Sequence, residues 1–386
     1  MNKKKQIYLD YNSTTPCAPE VVRGMLPYFT KEFGNPSSSH KEGKLASLGV
    51  LRARELIANA IGANSRSLVF TSGATESNNL ALLGVPRRDT SRKKILVSAI
   101  EHKSVLAASR SLIGAGYSVE FIPVSNNGVI NLDAASRLID KSTLIVSVQA
   151  ANNETGAIQP IKEIARLAHN KGALCHCDAA QMLGKQPVRV EDMNVDLASF
   201  SAHKVYGPKG IGVLFFANDN LKSSMRPLLW GGGQEDGIRS GTLNVPGIIG
   251  FGKACDLVSK DLSKQISHLS VIQDIFEKNV LRTIPEARIN CSRTKRIPGT
   301  ISLTIPGIPA DMLMANTPEL CVSNGSACNA GALEPSYVLL AMGVSRDDAE
   351  ATIRISLGRV TTHQDVLMSC KILIRTIREL RLKLGV

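Results

Sequence analysis

The sequence predicts an α/β protein built on a mostly parallel, doubly wound sheet, with a smaller C-terminal α/β unit beside it. Three observations carry this. Short apolar, β-branched runs alternate with helical stretches between residues 43 and 177, the pattern made by parallel strands and crossover helices. Beyond Val245 the alternation yields to one long helical region followed by shorter strands. A chain of 386 residues, 43% of them hydrophobic, can bury a full core and divide into domains. The large domain is expected over residues 16–255, and the small one over 256–386 together with 1–15.

In chain order, residues 43–61 read as a helix, 67–70 as a strand, 74–83 as a helix, 95–98 as a strand and 103–113 as a helix. A strand at 119–122 precedes the turn signal Asn126-Asn127-Gly128. Residues 143–148 are β-branched and read as a strand, 161–170 as a helix closed by Gly172, and 173–177 as the next strand. Short strands are expected at 195–197 and 211–216, with the Ser/His/Gly-rich residues 199–210 as the turn between them. The remainder reads as a helix over about 245–280, strands at 301–305 and 352–357, and a closing amphipathic helix at 364–384.

Composition excludes several classes. No apolar run is long enough to span a bilayer, and the basic start is followed by Ile7-Tyr8-Leu9-Asp10 rather than an apolar signal core, so a cytoplasmic location is expected. The net charge of +13, from 46 Lys and Arg against 33 Asp and Glu, would suit an acidic partner or nucleic acid. Aromatic residues are only 4% with a single Trp230, however, and the basic residues are scattered, so direct nucleic-acid binding is not expected. Eight cysteines show no CxxC spacing and read as reduced thiols. In Cys175-His176-Cys177, strand alternation sends the cysteines to one face and His176 to the other, so no metal site is expected there.

The chemistry-bearing residues gather at predicted strand ends. Lys204 lies in Ser201-Ala202-His203-Lys204-Val205-Tyr206-Gly207, beside sheet ends where α/β proteins place ligands. Lysine forms Schiff bases with carbonyl cofactors such as pyridoxal phosphate (PLP); the plain alternative is a solvated surface lysine. Thr71-Ser72-Gly73-Ala74-Thr75-Glu76-Ser77-Asn78 is a strand-to-helix junction that suits a phosphate, or is an ordinary capped helix. Asp178 ends a buried strand and needs a partner; a pyridinium nitrogen is one, and a helix start is another. Asn153 and His102 close two further strands, where Asn153 can orient a carboxylate or cofactor oxygen and His102 can stack on a ring. A lone His near a strand end is more often a satisfied structural residue. Five polar strand ends together are what a ligand site at a sheet edge requires.

Two more residues stand apart. Cys328, in the small polar stretch 321–331, is expected to be exposed and able to move; acting as a nucleophile requires surroundings that favour the thiolate over a thiol of ordinary pKa, about 8.5. Arg354 points inward from a candidate strand and calls for a carboxylate, from substrate or from a structural salt bridge.

Taken together, these stretches resemble the cysteine desulfurases, the NifS/IscS-like group of the class V aminotransferase superfamily of fold-type I PLP enzymes. The likeness runs from Tyr8-Leu9-Asp10-Tyr11-Asn12-Ser13-Thr14-Thr15-Pro16 to Ser356-Leu357-Gly358-Arg359, through Glu101-His102-Lys103, Asn152-Asn153-Glu154, Asp178-Ala179-Ala180-Gln181, Arg239-Ser240-Gly241-Thr242 and Gly325-Ser326-Ala327-Cys328. The resemblance implies that Lys204 carries PLP, Asp178 pairs with its ring nitrogen, Gln181 bonds its ring oxygen, and His102 stacks on the ring and shuttles protons. It implies a phosphate grip from Ala74, Thr75, Ser201 and His203, with Thr242 arriving from the other subunit of a homodimer. Asn153 and Arg354 would hold the carboxylate of L-cysteine. Cys328 would take the sulfur as a persulfide, release L-alanine, and pass the sulfur to an acceptor protein of unstated identity. The same thiol would serve as a transient iron–sulfur ligand.

Other readings within the fold are a selenocysteine lyase or an aminotransferase. From another class comes a non-catalytic, basic nucleic-acid-binding or scaffold protein. Asp236, Asn324 and Asn329 depart from the family pattern and bear on loop behaviour and docking. Relatives that serve iron–sulfur scaffolds carry an extension past Leu384-Gly385-Val386, so a specialised acceptor is expected.

Overall fold

In the computed structural model, residues 6–85, 91–324 and 334–385 are described, and Cys328 lies outside them. Twelve strands run through these residues: β1 (Ile7–Tyr8), β2 (Leu68–Thr71), β3 (Lys94–Ser98), β4 (Ser118–Ile122), β5 (Thr143–Ser147), β6 (Leu174–Asp178), β7 (Leu197–Ser201), β8 (Gly212–Phe216), β9 (Arg288–Ile289), β10 (Thr300–Thr304), β11 (Leu320–Cys321) and β12 (Thr352–Ser356). Seven of them form one sheet in the order β2-β8-β7-β6-β5-β3-β4. The pairs β3–β4, β3–β5, β5–β6 and β6–β7 are parallel, and only β8 runs against its two neighbours. Strands β5, β7 and β8 are buried at every residue, as expected where helices cover both faces of a parallel sheet.

The second layer is a three-stranded antiparallel sheet, β12-β10-β9, and β1 pairs in parallel with β11. One helix, Val245–Thr283, serves both cores. Its first half buries Ile248, Phe251 and Val258 in the core of the large sheet. Its second half buries Leu269, Ile272, Phe276 and Val280 with Ile7, Leu9 and the three-stranded sheet. At Gly252 this helix meets the helix Lys41–Ile61 so closely that an added Cβ would lie 2.7 Å from the Ala53 Cα. Only glycine allows that approach.

The expected strands and helices are present in the expected order, joined by short elements not expected from the sequence (among them β1, β9, β11 and the helices Pro19–Met25 and Leu132–Leu138), and the boundary changes at residues 199–210. Ser199, Phe200 and Ser201 belong to β7, not to a turn, and the turn begins at Ala202. The reason is local satisfaction. Phe200 is fully buried, and the Ser199 hydroxyl is 3.0 Å from His176 Nε2 on the adjacent strand. His176 Nδ1 in turn lies 2.8 Å from the Ser147 hydroxyl, while Cys175 and Cys177 pack into the apolar core. No helix among the described residues is long and apolar enough to cross a membrane.

Candidate active site

Strands β2, β3, β5, β6 and β7 all end on the same edge of the sheet. The segments that follow them line a cavity of about 490 Å³. It brings together Ala74, Thr75, His102, Asn153, Asp178, Gln181, Ser201, His203, Lys204 and Arg354, ten of the residues singled out from the sequence. Thr242 is exposed and lies outside this wall. Three residues before it, Arg239 ion-pairs with Glu76 in the first turn of the helix Ala74–Gly84, Nε to Oε1 at 2.9 Å.

At the end of β6, Asp178 accepts bonds from Asn78 Nδ2 at 2.7 Å and from the backbone N–H of Ala180 at 3.0 Å. The same Asn78 amide donates to Ser104 Oγ at 2.9 Å, and Ser104 Oγ lies 2.8 Å from His102 Nδ1. A chain of polar contacts therefore joins the acid to the imidazole. The backbone N–H of Ser104 also donates to His102 Nδ1, making His102 the cap of the helix Lys103–Ser111. A nitrogen that accepts carries no proton, so the neutral ring holds its proton on Nε2. Burial pushes the imidazole pKa down; Asp178 opposes this, while Lys204 and Lys103 add to it. The ring is neutral at neutral pH.

Lys204 closes a 3₁₀ turn and donates to the backbone carbonyls of Asn12 at 2.5 Å and Ser13 at 2.9 Å. On the other side of the cavity Arg354, from β12, reaches Asp10 Oδ1 at 2.7 Å, Ser13 Oγ at 2.6 Å and the Asn153 carbonyl at 3.2 Å. Its Nε is buried and finds no partner among the described residues. Gln181 Nε2 donates to the Asn12 carbonyl at 2.9 Å.

A phosphorylated pyridine aldehyde fits this donor set. The helix Ala74–Gly84 begins at Gly73, φ 152°, with no side chain capping its N–H groups. Those groups and the hydroxyls of Thr75 and Ser201 suit a phosphate. Burial, with Lys204 and Lys209 nearby, lowers the His203 pKa to about 4, and a phosphate beside it would reverse that pressure. Asp178 suits a ring nitrogen, Lys204 suits an aldehyde carbon, and the orphaned Nε of Arg354 suits a carboxylate.

Sequence reasoning missed four contributors. Asn12, Asn78, Ser104 and Gln149 either line the cavity or hold residues that do. Asn12 and Asn78 lie inside the stretches 8–16 and 71–78, but nothing in their spacing points to these partners. The departure Asp236 lies in an exposed turn and pairs with Lys222 Nζ at 2.7 Å. Asn329 lies outside the described residues.

A model of the aminotransferase class-V family matches residues 7–368. The cysteine desulfurase IscS of Rickettsia massiliae (strain Mtu5) is 42% identical over 377 residues, which is 97% of this chain and 92% of that protein. Among solved structures, a NifS-like protein superposes with a TM-score of 0.89 at 35% identity, covering 97% of this chain and 99% of its own. The structure described as SspA in complex with cysteine gives 0.80 at 37% identity, over 91% and 99%. The likeness spans both sheets and every strand end that lines the cavity, and on it the chain belongs to the aminotransferase class-V family, among its cysteine desulfurases.

Proposed function

We propose that this protein is a PLP-dependent L-cysteine desulfurase, which converts L-cysteine to L-alanine and holds the sulfur as a persulfide on Cys328 for an acceptor protein. The observation that carries the reading is the meeting of Lys204, Asp178 and His102 in one cavity with an uncapped helix start. A cysteine-bound relative supports the choice of substrate.

When bound, PLP supplies the electron sink for bond cleavage at the amino acid. The chain's own residues do the rest. Asp178, oriented by Asn78 and Ala180, keeps a proton on the ring nitrogen. Ala74, Thr75, Ser201 and His203 hold the phosphate, and Gln181 and Asn153 orient ring oxygen and substrate. Lys204 would hold the cofactor through its aldehyde carbon, and its amine can act as a base toward the substrate. His102 carries a transferable proton at Nε2. Arg354 receives the substrate carboxylate, with Asp10 fixing its guanidinium.

The Cys328 thiolate attacks the substrate sulfur. An S–S bond forms, the Cβ–S bond breaks, and its electron pair stays on carbon, which takes a proton to become alanine. Exposed apolar side chains at Leu26, Phe29, Leu48, Leu51 and Trp230 support a homodimer, in which Thr242 would complete the phosphate grip.

The test is to reconstitute the protein with PLP and supply L-cysteine and reductant. The expected result is visible absorbance with alanine and sulfide in equal amounts. Lys204→Ala abolishes the absorbance, and Cys328→Ser keeps it while releasing no sulfide. A keto-acid product in place of alanine would favour an aminotransferase. Sulfide from Cys328→Ser at the parent rate would remove Cys328 from the mechanism. Light scattering that finds only monomer would remove the dimer.

A further inference from the structure

Lys185 lies outside the cavity wall and is only 6% exposed. Its Nζ donates to Asn12 Oδ1 at 2.6 Å and to Gln181 Oε1 at 2.9 Å, and both partners line the cavity. Both acceptors are neutral amide oxygens. The charges that act on Lys185 are the cations of Lys204 and Arg354, which add to burial in pushing its pKa well below the usual lysine range. A buried amine without a carboxylate is costly to keep, and an apolar chain of the same length would fill the space with less penalty. Packing is therefore a poor account of it.

What the amine does that an apolar chain does not is fix two amide groups. With Oε1 held by Lys185, the Gln181 NH₂ faces the other way and donates to the Asn12 carbonyl at 2.9 Å. That same carbonyl receives Lys204 Nζ at 2.5 Å. With Oδ1 held, Asn12 turns its own NH₂ to Thr300 Oγ1 at 3.0 Å and to the Asn153 carbonyl at 3.1 Å. A single buried amine thus stands behind Gln181, Asn153 and the cradle of Lys204.

We propose that Lys185 is a positioning residue of the cofactor site: it sets the amide orientation of Gln181 and Asn12, and through them where Lys204 Nζ and the bond donor to the cofactor's ring oxygen are presented. The proposal rests on the PLP reading above.

The test compares the PLP-loaded parent, Lys185→Met, Gln181→Ala and the double variant. It reads the visible band of bound PLP against pH, the rate of PLP release and the thermal midpoint. Lys185→Met is expected to fold with a midpoint equal to or above the parent's, because a buried amine has been removed. Its PLP band should titrate at a pH displaced by at least about half a unit. Release should be about tenfold faster, with the double variant no worse than Gln181→Ala alone, because residues acting through one another are not additive. An unchanged band and release rate would overturn the proposal, as would losses that multiply in the double variant. A Lys185→Met chain that cannot fold would overturn it too, by showing that the fold itself requires the amine. A parent that takes up no PLP would instead overturn the cofactor reading, a result separate from the other three.

Discussion

The two sheets that meet at the cavity furnish it in different ways. The ends of the seven-stranded sheet supply Asp178, Ser201, His102, Asn153 and the start of the Ala74–Gly84 helix. The side chains of Asp178 and His102 are linked through Asn78 and Ser104, within one body. The three-stranded sheet sends in Arg354 alone. Arg354 is held by Asp10 and Ser13, in the segment between β1 and the helix Pro19–Met25. On the proposed reading, the phosphate and ring would be met mostly by groups at the ends of the large sheet, and the substrate carboxylate by a group that stands on a joint between two cores. A preorganised polar network resists displacement; a group on a joint adjusts with it.

Four measurements would break or sharpen that contrast. Asp178→Ala should lower kcat/KM on the order of 10³, because truncating one partner of a buried charge-assisted contact costs several kcal/mol. It should also weaken PLP binding in an absorbance titration, and parent-like PLP affinity would refute the linked network. Next in size is a pH effect confined to the large sheet. Burial depresses the His176 pKa to about 4, below its unfolded value of about 6.5. The folded state thus binds fewer protons than the unfolded state across that interval. Stability is full above about 6.5 and falls as the pH drops through 4, by roughly 3 kcal/mol. Denaturant midpoints at pH 7 and pH 4 should diverge less in His176→Asn, and an equal divergence would remove His176 as the source.

On the joint, Arg354→Gln should raise the KM for L-cysteine about 30-fold and leave the PLP band in place. A shifted band would mean that the two sides are not separate. Asp10→Asn weakens one of the three contacts that orient Arg354, and should raise KM about tenfold at constant kcat. A fall in kcat with KM unchanged would place Asp10 on the cofactor side instead.

Much of this was legible in the sequence, for physical reasons. β-branched and apolar runs report burial on both faces of a strand, so β2 to β8 were readable to within a few residues. Strand-end polar groups report a ligand edge, which placed Lys204, Asp178, His102 and Asn153 in one site. Asn12, Ser104 and Lys185 were illegible because their partners lie far off in the chain or give no periodic signal. Asn12 reaches Thr300 across 288 residues, and Lys185 acts through two amides that no spacing links. The two-residue strands β1 and β11 are too short for alternation to show.

The chain order of these contacts carries a consequence for assembly. Among the described residues β2 has one sheet neighbour, β8, so the strand that leads into the Ala74–Gly84 helix joins the sheet only after residue 216 has been made. The opposite wall closes later still, when the Asn12 N–H finds Ser356 Oγ across 344 residues. Closing a loop of that length is entropically late. A growing chain therefore completes the wall built on the large sheet before the wall that carries Arg354.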